Sequence, residues 1–300
     1  MMTALSTPEL PSWALSIPFV LIGFPVLSWL VRNRSRSVPG EMERLARVAS
    51  LPDPGADAHT VRERLASRYA GRVIGVAAVG LLALAAISIT SVRGDFPVWI
   101  VVYLPVGHAI GTALGNLIGV SVPTASPRVT TLRRRELTDY VTPIEVRVAQ
   151  LAGFLSVAAV VMGLIALTTT TSSTSSGVVV AAAGFLSLLA AAGTWTLAGR
   201  TLVQPVDATA PAGLLWNGVL RAAVLRDLVN AVTMFGAWGG GGALLWGIAQ
   251  GWASYPDWFL VVGGLVLVAV VVCTAVVLVL SVVDRHFDRV RHHALAEVAR

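Results

Sequence analysis

The chain contains no lysine: all 22 of its basic residues are arginine. Lysine Schiff-base chemistry is thereby excluded, and with it a retinal-type seven-helix protein. Cysteine is nearly as scarce. Cys273 stands alone inside an apolar run, so neither a disulfide framework nor a cysteine metal site is available, and its plain role is that of a small buried hydrophobe. Charge is thin as well, at 13% of residues against about 25% in soluble domains. With no long polar block, there is no room for a separate soluble domain. No nucleophile–base pair, H-E-x-x-H, Walker A or glycine-rich nucleotide motif occurs. The chain is therefore expected not to be an enzyme and to hold no metal or cofactor.

What the sequence does have is grease in long runs. Hydrophobic residues make up 55% of it and the mean hydropathy is +0.76. Unbroken apolar stretches of ~20 residues fit membrane helices, not the alternating ~10-residue strands of a barrel. The expected fold is all-α: a polytopic helical membrane bundle, a single integral membrane domain over residues 1–300. Its spans are expected near 13–31, 73–92, 97–120, 148–168, 178–198, 229–248 and 259–283. The first run is not read as a signal peptide, because its arginines follow it and no small-residue cleavage site is evident.

Arginine placement orients these seven spans. Twenty-one of the 22 fall in the loops 32–72, 121–147 and 199–228 or in the tail 284–300; only Arg93 lies on the opposite side. The positive-inside rule then puts the N-terminus outside and the C-terminus inside. The arginine-rich side is expected to face the cytoplasm and its anionic headgroups, in a cell membrane that is expected to be bacterial. The net charge of +6 is accounted for by lipid and does not call for nucleic acid. Within the loops, residues 41–49 and 57–69 read as short helices, the latter adjoining the second span. Glu63 and Arg64, on adjacent faces, read as part of a solvated or headgroup-facing segment and not an ion-pair site, and 214–228 as an amphipathic helix in the interface or an extension of the sixth span. Asp139 and Asp227, each just before a span, are plausible N-caps.

The third span, 96–120, carries the polar signal around which the chain is expected to be organised. At ~100° per residue, His108, Gly111, Thr112, Gly115, Asn116 and Gly119 fall on one side, with Ile110, Ala113, Leu114, Leu117, Ile118 and Val120 on the other, expected to face lipid. Gly111/Gly115 and Gly115/Gly119 form overlapping G-x-x-x-G pairs, a helix-packing device. His108, with Thr112 and Asn116, is the candidate substrate-binding set, since an ionisable group at mid-membrane is expensive without a purpose. The plainer alternative is an interhelical hydrogen bond. Arg133, Arg134 and Arg135 are candidates for contact with lipid or a partner protein, or simply topology signals. The four consecutive glycines 239–242 weaken the sixth helix unless packing or a local opening uses them. In the tail, Asp288 and His292 could share a helix face with a metal, though a solvated helix suffices.

A short internal similarity runs through the chain. Gly111-Thr112 with Pro123 resembles Gly193-Thr194 with Pro205, and Leu137-Thr-Asp139-Tyr-Val141 resembles Leu225-Arg-Asp227-Leu-Val229. It suggests one N-terminal helix followed by three hairpins. The function expected from these features is a transport-related, permease-like component. The alternative is a membrane scaffold or regulator that recruits a cytosolic protein subunit through its arginine-rich loops.

Overall fold

The computed structural model describes residues 34–90, 107–117, 136–169, 174–203, 211–251 and 258–282. The first expected span, Gly119, Arg133 to Arg135 and the tail histidines lie outside them. All described secondary structure is helical. In chain order it comprises α1 (Arg34–Val48), α2 (Ala58–Thr90), α3 (107–117), α4 (Pro143–Thr169), α5 (Thr174–Val203) and α6 (Pro211–Met234). A π-helical segment (Phe235–Gly241) joins α6 directly to α7 (Gly242–Gly251), and α8 (Trp258–Val282) follows.

Among the described residues, four helical stretches are long and apolar enough to cross a membrane: Pro143–Thr168, Gly177–Val203, Ala212–Ile248 and Val261–Val279. Their burial is unequal. The most apolar windows of the first, second and fourth are only 28%, 28% and 17% buried, whereas that of Ala212–Ile248 is 67% buried. The exposed side chains on the outer three are large and apolar, such as Phe154, Leu186 and Leu265. A surface of this kind is stable against lipid and not against water. Of these four stretches α6 with its continuation is therefore the most enclosed, and the described part of the third expected span, α3, is mostly buried as well.

Close backbone approach sets the directions of these helices. A Cβ on Gly163 would stand 2.8 Å from the Ala181 Cα, and one on Gly184 would stand 2.8 Å from the Val160 backbone nitrogen, so α4 and α5 run antiparallel. Added atoms on Gly236 and Gly240 would meet Ala152 and Ser156 respectively, the latter at 2.6 Å from its nitrogen. Four residues forward on one helix match four forward on the other, so the π segment runs parallel to α4. The glycine run is thus used twice. It lets the backbone widen into a π turn, where an i→i+5 bond replaces the usual i→i+4, and it lets that turn lie directly on α4.

Two features lie beyond the bundle's apolar part. The 33 residues of α2 make a rod of about 50 Å, against a hydrocarbon core of about 30 Å. Only residues from about 73 onward are uniformly apolar, so the first turns of α2 extend, in one unbroken helix, beyond its apolar part. The first turns of α6 project likewise. Segment 214–228 does not lie flat in the interface; it extends the sixth span as part of α6. These two projections trap α1 against them. Val38, Val61, Leu65, Trp216 and Leu220 form one buried apolar cluster, and Ala49, Val219 and Ala222 form a second. The Trp216 indole N–H donates to the Pro52 carbonyl at 2.9 Å, fixing the loop after α1. The arginine-rich 34–72 region is therefore a folded cap with its own core.

Candidate functional site

Between this cap and the apolar bundle lies a layer of buried charge. It is built from one face of α2, where Arg64, Arg68 and Arg72 recur every four residues and so line up one turn apart. Arg64 and Arg68 are 8% and 2% exposed, which corrects the expectation of a solvated segment. The Arg64 guanidinium donates to the Asn217 side-chain oxygen on α6. Arg72 reaches Glu41 on α1, its Nη2 at 3.3 Å from Oε1. Arg68 points at Asp227 on α6, but its Nη2 stops 3.8 Å away, too far for a hydrogen bond. Asp227 is accordingly no N-cap: it sits inside α6 and faces an arginine from another helix.

A second ion pair closes the far side of α6. The Arg226 Nε–H donates to Glu145 Oε1 at 2.8 Å, with both side chains at least nine-tenths buried. The other oxygen of Glu145 accepts from the Thr142 backbone N–H at 2.9 Å and from its hydroxyl at 2.8 Å. Thr142-Pro143-Ile144-Glu145 is thus a capping box with proline at the first helical position. One carboxylate starts α4 and neutralises a buried arginine. The T-x-x-E spacing was the available signal for this role, and the sequence reading passed over it. Asp139 does cap, but on a 3-10 turn: its carboxylate accepts from the Glu136 backbone N–H at 3.0 Å.

Helix α3 enters this layer through glycine. Gly71 and Gly75 on α2 oppose Gly107, Gly111 and Gly115 on α3. A Cβ on Gly75 would lie 2.8 Å from the Gly111 Cα, and one on Gly71 would lie 2.9 Å from the Gly115 Cα. The two backbones touch, antiparallel, over at least two turns. The G-x-x-x-G reading of Gly111 and Gly115 is thereby given a partner, Gly71-x-x-x-Gly75, one turn away from the arginines. The other side of α3 is not simply a lipid face. Ala109 and Ala113 are buried, the latter in a cluster with Val141, Val224 and Leu228, while Leu114 remains exposed.

Of the candidate binding set, His108 is half-buried and lies within the electrostatic reach of Arg72, Arg68 and Glu41. Thr112 is fully buried, and its hydroxyl donates to the His108 carbonyl at 2.7 Å, so that donor is spent on its own helix. Asn116 is buried at 5% exposure. The glycine contact brings His108 to the arginine layer, a juxtaposition that periodicity within one helix cannot reveal. Arg64, Arg68 and Arg72 escaped the sequence reading because an arginine-rich loop and an arginine-rich helix face look alike in one dimension.

Two members of the layer are not fully satisfied. Arg68 Nε and Nη1 and Arg72 Nε are buried and find no hydrogen-bond partner among the described residues. Among those residues there is also no grouping of three or more His, Cys, Asp or Glu able to hold a metal. No protein-family model, curated protein or solved structure matches the chain. What the arrangement offers is its own chemistry: a buried Arg68 guanidinium, with Arg72, Glu41 and Asp227 partly exposed around it, where a helical bundle meets its polar cap.

Proposed function

We propose that the chain is a permease-like component of a membrane transport system, with seven spans, its N-terminus outside and its C-terminus inside, in the plasma membrane of a bacterium. The observation that carries this reading is Arg68, buried within the protein with donors unmet, near the glycine contact that brings in α3. A purely structural layer gains little from buried charge, since apolar residues of similar volume are often as stable or more so. A buried guanidinium with unmet donors where a helical bundle meets its cap is suited to receive an anionic solute, and π segments such as that between α6 and α7 recur at functional sites. On this reading the chain binds and passes a solute and catalyses no covalent step. Its arginine-rich cap faces the cytoplasm and anionic headgroups.

Uptake by proteoliposomes containing the full chain, with any cytosolic subunit that co-purifies, tests the proposal. Substrate-dependent flux is expected, and it is expected to fall at least about tenfold in Arg68→Gln and to drop in His108→Ala, given the usual weight of one charge-assisted hydrogen bond. Absence of flux, together with unaltered variants, counts against it. A second reading, a scaffold that recruits a cytosolic protein, draws on the folded cap formed by α1 with the starts of α2 and α6. Recovery of the same partner with and without Arg133 to Arg135 would reject recruitment through that segment, and recovery of no partner would reject the scaffold.

A further inference from the structure

We propose that Arg68 and Arg72 form a binding site for a phosphate-type oxyanion at the junction of α1, α2, α3 and α6. The inference rests on the reading of this layer as substrate-handling and names the class of ligand. Its foundation is geometric. The Arg68 side chain is 3% exposed, and its nearest carboxylate oxygen, on Asp227, is 3.8 Å from Nη2. That leaves Nε and Nη1 without an acceptor among the described residues. Arg72, one turn further along α2, commits Nη2 to Glu41 and also leaves Nε unmet. Donors buried on a charged group are costly when unpaired. Both arginines lie on one helix face, and both lie in the electrostatic surroundings of His108 and Asp227.

The shape of the donor set selects among anions. The Nε and Nη1 of one guanidinium point off different edges, so a planar carboxylate engages one edge at a time. An anion with three or more oxygens can accept from Arg68 and from the neighbouring Arg72 together, the geometry in which arginine is favoured over lysine. His108 lies across the glycine contact on α3, half-buried. Glu41 is then the competitor: it holds Arg72 from α1 and is partly exposed, with 19% of its side chain accessible. An arriving oxyanion takes over Arg72 from Glu41. The shared chemistry admits two sources, a free phosphate and the phosphodiester of an anionic lipid headgroup.

The test is calorimetric titration of the purified full-length chain in detergent with inorganic phosphate. In parallel, thermal unfolding is measured in phosphatidylcholine nanodiscs with and without phosphatidylglycerol. Saturable binding is expected, at least about tenfold weaker in Arg68→Gln, several-fold tighter in Glu41→Gln, and unchanged in Arg200→Gln, which removes an exposed arginine. Phosphate binding assigns a free anion. No phosphate binding, with phosphatidylglycerol stabilising wild type but not Arg68→Gln, assigns a headgroup. Equal behaviour of wild type and Arg68→Gln towards both probes overturns the site. If Arg68→Gln does not fold, an unchanged affinity in Glu41→Gln overturns it. Binding that depends on Arg68 in a protein without flux keeps the site and rejects the permease reading. Flux that is indifferent to Arg68→Gln, with neither probe bound, overturns the site alone.

Discussion

Glu145 shows how much one side chain can hold in this molecule. Its two oxygens serve Arg226 from α6 and the first turn of α4, and almost none of it reaches solvent. Truncation by Glu145→Ala would strand Arg226 as a buried charge and uncap the helix together. The expected loss is about 3–5 kcal/mol from the unpaired arginine, with about 1 kcal/mol more from the cap. Thermal unfolding in detergent should show this as a large drop in Tm. By contrast, Glu63 pairs with His59 at the surface, where the two side chains are 60% and 84% exposed, and pairs of that kind contribute little. Glu63→Ala should leave Tm nearly unchanged. Similar Tm values for the two variants would mean that the Glu145 pair is not buried as described.

At the level of helices, the fold relies on missing side chains. The α2–α3 contact has no room at Gly71, Gly75, Gly107, Gly111 or Gly115, because the obstruction at each includes backbone, which cannot rotate away. Gly153 on α4, in contrast, has nothing within 4 Å of an added Cβ. Gly111→Leu is therefore expected to separate α3 from α2 and to lower Tm sharply. Gly153→Ala should be neutral or stabilising by up to about 1 kcal/mol, the difference in helix propensity. Disulfide trapping between cysteines placed at positions 70 and 114 gives an independent check, with the cross-link expected to be slowed in Gly111→Leu. Gly111 and Gly115 could be read from their spacing alone. Their partners Gly71 and Gly75 could not, because a G-x-x-x-G pair specifies a close approach without naming the helix that makes it.

For the molecule as a whole, the proposed topology makes one side arginine-rich and the other nearly free of charge. It can be read out by labelling. With Cys273→Ala as background, single cysteines at positions 93, 134 and 172 are exposed to a membrane-impermeant maleimide added to intact cells. Reaction is expected at 93 and 172 and not at 134. Reaction at 134 alone would invert the molecule. Among the described helices, α2, α4 and α6 run in the same direction through the charged layer, α4 from its first turn and α2 and α6 from further along their lengths, and α5 returns antiparallel to α4.

Composition and run length were enough to determine an all-helical membrane protein and the position of its most apolar helices, because the energy of placing a side chain in lipid depends on that side chain nearly alone. Which helix lies at the centre was not determined in that way. The polar stripe on 96–120 marked α3, whose described residues are mostly buried, but nothing marked α6 as the most enclosed of the four long apolar stretches, since burial depends on neighbours and a hydropathy sum contains none. The same reason separates the two sets of arginines. As a string, residues 32–72 read as a solvated basic loop holding two short helices, and only packing against Trp216, Asn217 and Asp227 draws Arg64 and Arg68 inside. Charge on the chain is a property of residues; charge in the interior is decided by what folds over it.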